Sequence, residues 1–308
     1  MKILVTGGAG FIGSHIVDAY IRMGHQVYII DSLVTGKREN INQSGKFYEF
    51  DIRQKLASEL IMDEKFDVIN HHAAQMDVRK SVENPGYDAD VNILGLINLM
   101  QSAVKAKTRK VIFSSSGGTI YGECGDKAPD EKSPASPVSP YGISKLSSEL
   151  YLKFYAGTYN VKYTILRYGN VYGPRQDPYG EAGVVAIFFN RLLNGENVAI
   201  YGDGTQMRDY VYVEDVVEVN KTALNTGDNE IINIGNSAAV SVNELFAAMK
   251  KAGSFAAACE YKSARTGELY RNYLNIEKAS RILGWKPSYD LQKGLTKTLD
   301  YFKAKAAK

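Results

Sequence analysis

The sequence predicts an α/β protein built on a doubly wound parallel sheet. Two observations carry that prediction. Short β-rich runs alternate with helix-like stretches through the first half of the chain, the pattern of strand–crossover–strand units. The first of these runs also ends in a glycine-rich turn that opens straight into a helix-like stretch. That arrangement places a ligand at the carboxyl ends of parallel strands.

The elements follow in order. Residues 3–6, 26–30, 68–70, 110–114 and 163–167 read as strands, being apolar and bounded by turn residues. Residues 14–22, 91–106 and 141–159 read as helices. Residues 128–140 are rich in proline and serine and read as a surface loop, with Ser139-Pro140 opening the helix after it. Beyond Arg167 the character changes. Residues 170–183 carry Gly, Pro and Tyr and read as an ordered loop; a helix over 184–194 and a strand over 198–201 follow. Residues 274–308 read as mixed helix and loop, and no repeat or low-complexity tract interrupts the chain.

Bulk properties exclude several classes. The 308 residues are 44% apolar and 23% charged, enough for one large or two modest domains. A net charge of +3 leaves no dense basic face for nucleic acid. Cys124 and Cys259 are too few for a disulfide framework or a structural zinc site, which implies a reducing compartment. The first apolar run is too short for a signal peptide, and no segment reaches the about 18 apolar residues of a membrane span, so a cytoplasmic protein is expected. Tyrosine is abundant, with 21 copies; packing explains most of them, and several could line a polar site.

The turn after the first strand reads Val5-Thr-Gly-Gly-Ala-Gly-Phe-Ile-Gly13. Gly7 permits the tight turn, Gly10 lets backbone approach a pyrophosphate, and Gly13 lets helix pack on strand. The helix start then offers N–H donors and a positive dipole end. A glycine triplet alone is common; here strand and helix flank it, so dinucleotide binding is expected. Asp31 ends the second strand, 31 − 13 = 18 positions on. A carboxylate there accepts from adenosine ribose hydroxyls and repels a 2′-phosphate, favouring NAD over NADP. The bland alternative is a turn aspartate, and the nearby Lys37 and Arg38 weaken the exclusion.

Tyr141 and Lys145 lie four apart on a predicted helix, hence on one face. The lysine charge favours the tyrosine phenolate and makes it a base for alcohol chemistry. Tyr289/Lys293 and Tyr301/Lys305 share the spacing. Lacking a cofactor loop nearby, they read as solvated helix faces. His71 and His72 are adjacent, so on a strand they face opposite ways and make a poor metal site; no metal is expected.

Together, Gly7–Gly13, Ser114-Ser-Ser116, Tyr141/Lys145, Leu166-Arg-Tyr-Gly-Asn-Val-Tyr-Gly-Pro-Arg175, the run from Tyr201 to Val213 and Leu283-Gly-Trp-Lys-Pro287 resemble the extended short-chain dehydrogenase/reductase family, in particular its nucleotide-sugar epimerases of the UDP-glucose 4-epimerase type. The resemblance spans nearly the whole chain. It implies a Rossmann-type domain, residues 1–168 plus about 209–235, and a smaller discontinuous substrate domain, about 169–208 plus 236–308. It also implies tightly held NAD and a homodimer built on the helices over 91–106 and 141–159. Its cofactor positions fall on Gly7, Gly10, Phe11, Ile12, Gly13, Asp31, Ser32, Asp51, Ile52, Ala73, Ala74, Asn92, Ser114, Tyr141, Lys145 and Tyr168. Asp51 and Ile52 would contact adenine, Asn92 would orient a helix or loop, and Tyr168 would sit against the nicotinamide. Its substrate positions fall on Ser115, Ser116, Tyr141, Asn170, Val185, Tyr201, Arg208, Arg265, Glu268 and Asn272. Tyr201 would stack on uracil, and the arginines would grip the phosphates by their forked donors. Outside these motifs each arginine would read as a surface ion pair.

The implied mechanism makes Ser116, Tyr141 and Lys145 catalytic. Tyr141 takes the proton of the sugar 4-hydroxyl while the C4 hydride passes to the nicotinamide; Ser116 positions the oxygen. The ketone swings about the pyrophosphate, and hydride returns to its other face. Two departures stand out. The run Ser114–Gly122 has one residue more between the serines and Tyr121 than many relatives, so Ser115 remains a second candidate for the hydroxyl. Tyr270 stands where many relatives carry arginine, which removes a phosphate contact or shifts it to Arg271. Sugar 4,6-dehydratases and UDP-xylose-forming decarboxylases need an acid where this chain has Gly117 and Gly118, and are disfavoured. UDP-N-acetylglucosamine and UDP-glucuronate epimerases stay open, because Asn272 at the sugar-size position is small. The alternative of another class is an inactive NAD-sensing module, which would be expected to lose Tyr141 or Lys145.

Overall fold

The computed structural model describes residues 1–179, 183–265 and 267–306. The first half alternates as expected. It runs β1 (Lys2–Thr6), α1 (Phe11–Arg22), β2 (Gln26–Ile30), β3 (Lys46–Tyr48), α2 (Lys55–Glu64), β4 (Val68–His71), α3 (Val78–Glu83), α4 (Pro85–Ala89), α5 (Gly95–Lys105), β5 (Lys110–Ser116), α6 (Gly117–Ile120), α7 (Pro140–Tyr159) and β6 (Lys162–Tyr168). Then come β7 (Asn170–Tyr172), α8 (Val184–Leu193), β8 (Val198–Tyr201), β9 (Met207–Arg208), β10 (Tyr210–Tyr212), α9 (Val213–Ala223) and β11 (Glu230–Ile234). The chain closes with β12 (Val240–Ser241), α10 (Val242–Gly253), β13 (Cys259–Lys262), β14 (Arg271–Asn272), α11 (Glu277–Leu283) and α12 (Leu291–Ala306).

Seven strands form one parallel sheet in the order β11-β6-β5-β4-β1-β2-β3. The chain builds outward from β1 through β2 to β3, then returns to β4 on the other side of β1. That reversal opens a crevice at the carboxyl ends of β1 and β4. Both faces of the sheet are covered, so the strands are apolar on both sides rather than alternating. Ile3 and Val5 join one core with Ile16, Tyr20, Val216 and Ile232. Leu4 points the other way and joins Ile69, Leu99, Phe113 and Leu152.

Polar side chains inside the first core bond to one another. Tyr20 donates its hydroxyl to the Asn220 carbonyl (3.0 Å), and Asn70 Nδ2 donates to the Tyr20 oxygen (2.8 Å) and to Asn220 Oδ1 (2.9 Å). Pro140 starts α7, and Ser139 caps it by accepting from the Gly142 N–H at 3.2 Å. Asn160 ends it in the left-handed region.

The smaller lobe carries three short pairings: β7 with β10, β9 between β12 and β14, and β8 with β13. Phe188, Phe189, Leu245, Met249, Leu299 and Phe302 of α8, α10 and α12 form its core. Ala279, Leu283 and Trp285 turn back onto the first core, where Trp285 Nε1 donates to the Asp215 carbonyl.

Several expectations change. β3 and β11 fall outside the expected strands. The expected loop over 170–183 begins as β7, and residues 180–182 lie outside the described ones. The expected helix over 91–106 begins instead with a π-helical turn at Asp90–Leu94. Tyr289 is not on a solvated helix face: it precedes α12, its ring lies 4.6 Å from that of Tyr212, and its hydroxyl donates to Glu214. Tyr301 is on α12 but half-buried beside Phe302. No helix among the described residues is long and apolar enough to cross a membrane.

Candidate active site

The site starts at the reversal point. Gly7 has φ +71°, and a Cβ there would stand 2.6 Å from the Ala73 nitrogen. A Cβ on Gly13 would strike the Gly7 carbonyl, so α1 can start against the turn only without one. Gly10 begins α1, and no side chain caps that end. The helix therefore points N–H donors and its positive end into the crevice.

Asp31 sits at the end of β2, buried, with Oδ2 accepting from the Ala9 N–H and Oδ1 from the Leu33 N–H, both at 2.9 Å. Burial raises its carboxyl above the ordinary range. The same carboxylate that would meet a ribose thus also braces the glycine turn. Lys37 pairs with Asp177 at 3.0 Å and Arg38 pairs with Glu49. Both basic neighbours are committed to carboxylates, which leaves the case for NAD over NADP stronger than the sequence suggested. Ser32 is exposed beside Asp31. Asp51 is held below the usual carboxylate range by hydrogen bonds from Arg53, and Ile52 is buried in the second core. The Gly turn, the uncapped helix start and the buried carboxylate fit a dinucleotide.

Across β4, His71 and His72 part as expected. His71 Nδ1 lies 2.7 Å from Thr6 Oγ1; His72 Nε2 lies 3.3 Å from the Tyr168 hydroxyl. Burial pushes both imidazoles down to about 3, so both are neutral. Among the described residues, no group of three His, Cys, Asp or Glu side chains could hold a metal ion. Ala73 donates its N–H to Thr6 Oγ1, and Ala74 follows on the same loop. Tyr168 is buried, its ring stacked on His72 and its oxygen accepting from Asn220.

Asn92 lies in the π-helical turn and is buried. It accepts from the Gln75 N–H (2.9 Å) and donates to the Gln75 carbonyl (2.8 Å) and Asp88 Oδ1 (3.1 Å), with Ser144 Oγ of α7 at 3.2 Å. It thus ties the loop after β4 to α7. A π-turn at this joint is typical of functional sites.

α7 carries Tyr141 and Lys145 on one face. Lys145 is buried, and its Nζ donates to the Ser114 carbonyl at 2.8 Å. The ammonium stands 5.7 Å from the Tyr141 ring centre. Burial pulls Lys145 down to about 8, against the opposing pull of Asp88 and Glu149. Ser114 Oγ donates to the His71 carbonyl. Ser115 Oγ donates to Glu149 Oε1 at 2.6 Å inside the core. Ser116 lies on the strand end beyond it. Its Oγ, Asn170 Oδ1 and Asn272 Oδ1 stand 3.6, 3.5 and 3.9 Å from the point where Gly118 lacks a Cβ. These three side-chain oxygens thus gather around Gly118. A Cβ on Gly117 would strike Leu274 at 2.6 Å.

The remaining expected substrate positions lie on the later strands and the loops beside them. The Arg265 guanidinium stacks 3.7 Å from the Tyr201 ring centre and lowers that phenol's pKa. Arg208 is 3.4 Å from Glu268 and donates to the Met207 carbonyl. Asn272 is fully buried and donates to the Gly117 carbonyl at 3.4 Å. Val185 is not brought to this group; it packs in the core of the second lobe. Arg271 pairs with Asp126 at 2.5 Å, and Glu123 accepts the N–H groups of Tyr270 and Arg271. Sequence reasoning missed Thr6, Gln75, Asp88, Glu149 and Arg167. Of these, only Glu149 carried a signal, one helical turn past Lys145.

The comparisons agree with this geometry. Residues 3–235 match the NAD dependent epimerase/dehydratase family. The chain is similar to a UDP-glucose 4-epimerase of Mycolicibacterium smegmatis, 40% identical over 99% of this chain and 100% of that one. It superposes on the UDP-glucose 4-epimerase of Thermotoga maritima crystallised with UDP-glucose, with TM-score 0.97, 48% identity and coverage of 99% and 100%. It also superposes on the UDP-glucose 4-epimerase of Thermus thermophilus in complex with NAD, with TM-score 0.94, 42% identity and coverage of 98% and 99%. The chain belongs to the NAD dependent epimerase/dehydratase family.

Proposed function

We propose that this protein is an NAD-dependent UDP-sugar 4-epimerase whose substrate pair is UDP-glucose and UDP-galactose. The observation that carries the reading is the pairing of Tyr141 with Lys145 on α7, with Lys145 tied to the Ser114 carbonyl of β5, the strand that ends in Ser116. Likeness to relatives named UDP-glucose 4-epimerase supports the choice of sugar. Residues 1–168 with about 209–235 hold the cofactor; about 169–208 with 236–308 hold the nucleotide sugar.

Gly7, Gly10, Phe11, Ile12 and Gly13 would cradle the pyrophosphate, and Asp31 with Ser32 would take the ribose. Bound NAD supplies reversible hydride acceptance at the sugar C4. Tyr141 accepts the 4-hydroxyl proton as that carbon is oxidised and gives it back after the ketone has turned. Lys145 favours the phenolate by its charge, and the Ser114 carbonyl holds it in place. Ser116, rather than Ser115, orients the 4-oxygen, since the Ser115 hydroxyl is spent on Glu149. Arg208, Arg265 and Glu268 hold the nucleotide and Tyr201 stacks on its base. Arg265 now covers the Tyr201 ring, so it must move aside or sandwich the uracil.

The protein acts as a cytoplasmic homodimer, with Cys124 and Cys259 as free thiols. Ile143, Leu150 and Phe154 form a stripe along α7 at 52–57% exposure, and Leu94, at the end of the π-helical turn that packs on α7, is exposed too. Such a stripe on a long helix is an association surface.

Three outcomes are expected. Purified protein without added NAD interconverts UDP-glucose and UDP-galactose, and Tyr141→Phe lowers the rate by about 10²–10⁴. Turnover of only UDP-N-acetylglucosamine or UDP-glucuronate would move the substrate assignment, and full activity in Tyr141→Phe would refute the base. The rate falls above pH about 8 as Lys145 loses its proton, since burial has lowered its folded pKa to that value. Lys145→Arg stays charged and loses this alkaline limb; a wild-type rate that holds flat up to the ordinary lysine value of 10.5 contradicts the assignment. Phe154→Glu converts a dimer to a monomer by light scattering; an unchanged mass places the interface elsewhere.

A further inference from the structure

We propose that Glu149 is a positioning residue that holds the base-bearing helix α7 in register with the serine-bearing strand β5 through the hydroxyl of Ser115, a role that rests on the epimerase reading of the site.

The geometry is a pair of tethers. Lys145 and Glu149 occupy consecutive turns of α7, and they engage consecutive residues of β5. Lys145 Nζ donates to the Ser114 carbonyl at 2.8 Å, and Glu149 Oε1 accepts from Ser115 Oγ at 2.6 Å. One contact would leave the helix free to rotate or slide. Two contacts, a turn apart on the helix and a residue apart on the strand, fix both motions. The next strand residue is Ser116, and the helical turn before Lys145 holds Tyr141. The distance between hydroxyl and base is therefore set by the clamp.

The clamp is itself anchored. Arg167 of β6 meets Glu149 with both arms, Nε to Oε1 at 2.9 Å and Nη2 to Oε2 at 2.6 Å. Its third donor, Nη1, goes to the Tyr121 hydroxyl at 2.8 Å, which donates to Asn233 of β11 at 2.7 Å. Glu149 is 1% exposed and Arg167 is 4% exposed. A buried ion pair is weak evidence for stability, since desolvating both charges offsets their attraction. Its geometric value is greater: a bidentate fork holds one orientation. The catalytic machinery described above leaves this network unused.

Charges around the ammonium are consistent. Lys145 faces Asp88 of α4 and Glu149 of its own helix, which favour its protonated form. It also faces His71 at the end of β4 and His72 just after it, both neutral, and the Tyr141 ring. Glu149 is partly neutralised by Arg167, so its influence on the ammonium is chiefly one of place.

Glu149→Gln strands a buried guanidinium and risks unfolding. Ser115→Ala is the cleaner test, because it cuts the strand tether and leaves the ion pair whole. Expected for Ser115→Ala are a kcat lower by about 10- to 100-fold and a KM within about twofold. The acid limb of the kcat–pH profile also moves to higher pH, because an ammonium drawn away from Tyr141 stabilises its phenolate less. Absorbance titration of the phenolate, as the difference between each protein and its Tyr141→Phe counterpart, moves the same way without any substrate. Ser115→Thr restores both. Unchanged turnover, or a lost rate with the phenolate titration unmoved, overturns the proposal; the latter result makes Ser115 the catalytic hydroxyl. If wild type turns over no UDP-sugar, the epimerase reading fails, and the titration alone still decides whether Ser115 sets the surroundings of Tyr141.

Discussion

Everything in the site depends on one close approach: the Gly7 α-carbon against the His72–Ala73 peptide, where no side chain can fit. That contact sits where the strand order reverses, between β1 and β4. It brings the turn after β1 and the loop after β4 to opposite lips of one crevice. Asp31 stiffens the first lip by accepting from the Ala9 N–H, and Thr6 ties the second through His71 and Ala73. With both lips fixed, the uncapped start of α1 is held facing the crevice, where on the proposed reading its N–H donors would meet a diphosphate.

The chemistry then needs polar groups to be dry but accounted for. Lys145 is a buried amine: burial lowers its pKa to about 8 against the opposing pull of Asp88 and Glu149, and its Nζ donates to the Ser114 carbonyl. The cost of burying it is also what makes its charge effective, since a solvated ammonium would be screened from the tyrosine. Beneath it, Glu149, Arg167, Tyr121 and Asn233 are joined in a satisfied chain of hydrogen bonds. The second lobe contributes in a different manner. Its cations, Arg208 and Arg265, rest on a carboxylate and a ring respectively. Such contacts are readily exchanged for phosphate and base. On the proposed reading, a fixed Tyr141–Lys145 face and exchangeable arginine contacts would suit a reaction in which the sugar turns over while the nucleotide stays held.

Much of this was legible in the chain. The β1 run, the glycine spacing and Asp31 are local features whose meaning comes from a single strand–turn–helix unit. Pro140 and Ser139 marked the start of α7 because capping is local too. What could not be read was either short or distant. β11 has five residues and begins 230 − 168 = 62 positions after β6, the strand it pairs with, has ended. The commitment of Ser115 to Glu149 depends on which face of β5 each serine takes, and that follows from register with α7. The spacing of Tyr289 and Lys293 mimicked a helical pair, but a helix start falls between them.

The central claim is that one hydride leaves C4 and returns to the same carbon without leaving the protein. UDP-glucose carrying deuterium at C4, incubated with the purified protein in ordinary water, tests it directly by mass spectrometry of the UDP-galactose formed. The account predicts that the product retains deuterium at C4, with none passed to free NAD added alongside. Loss of the label to water or to the added cofactor would contradict it.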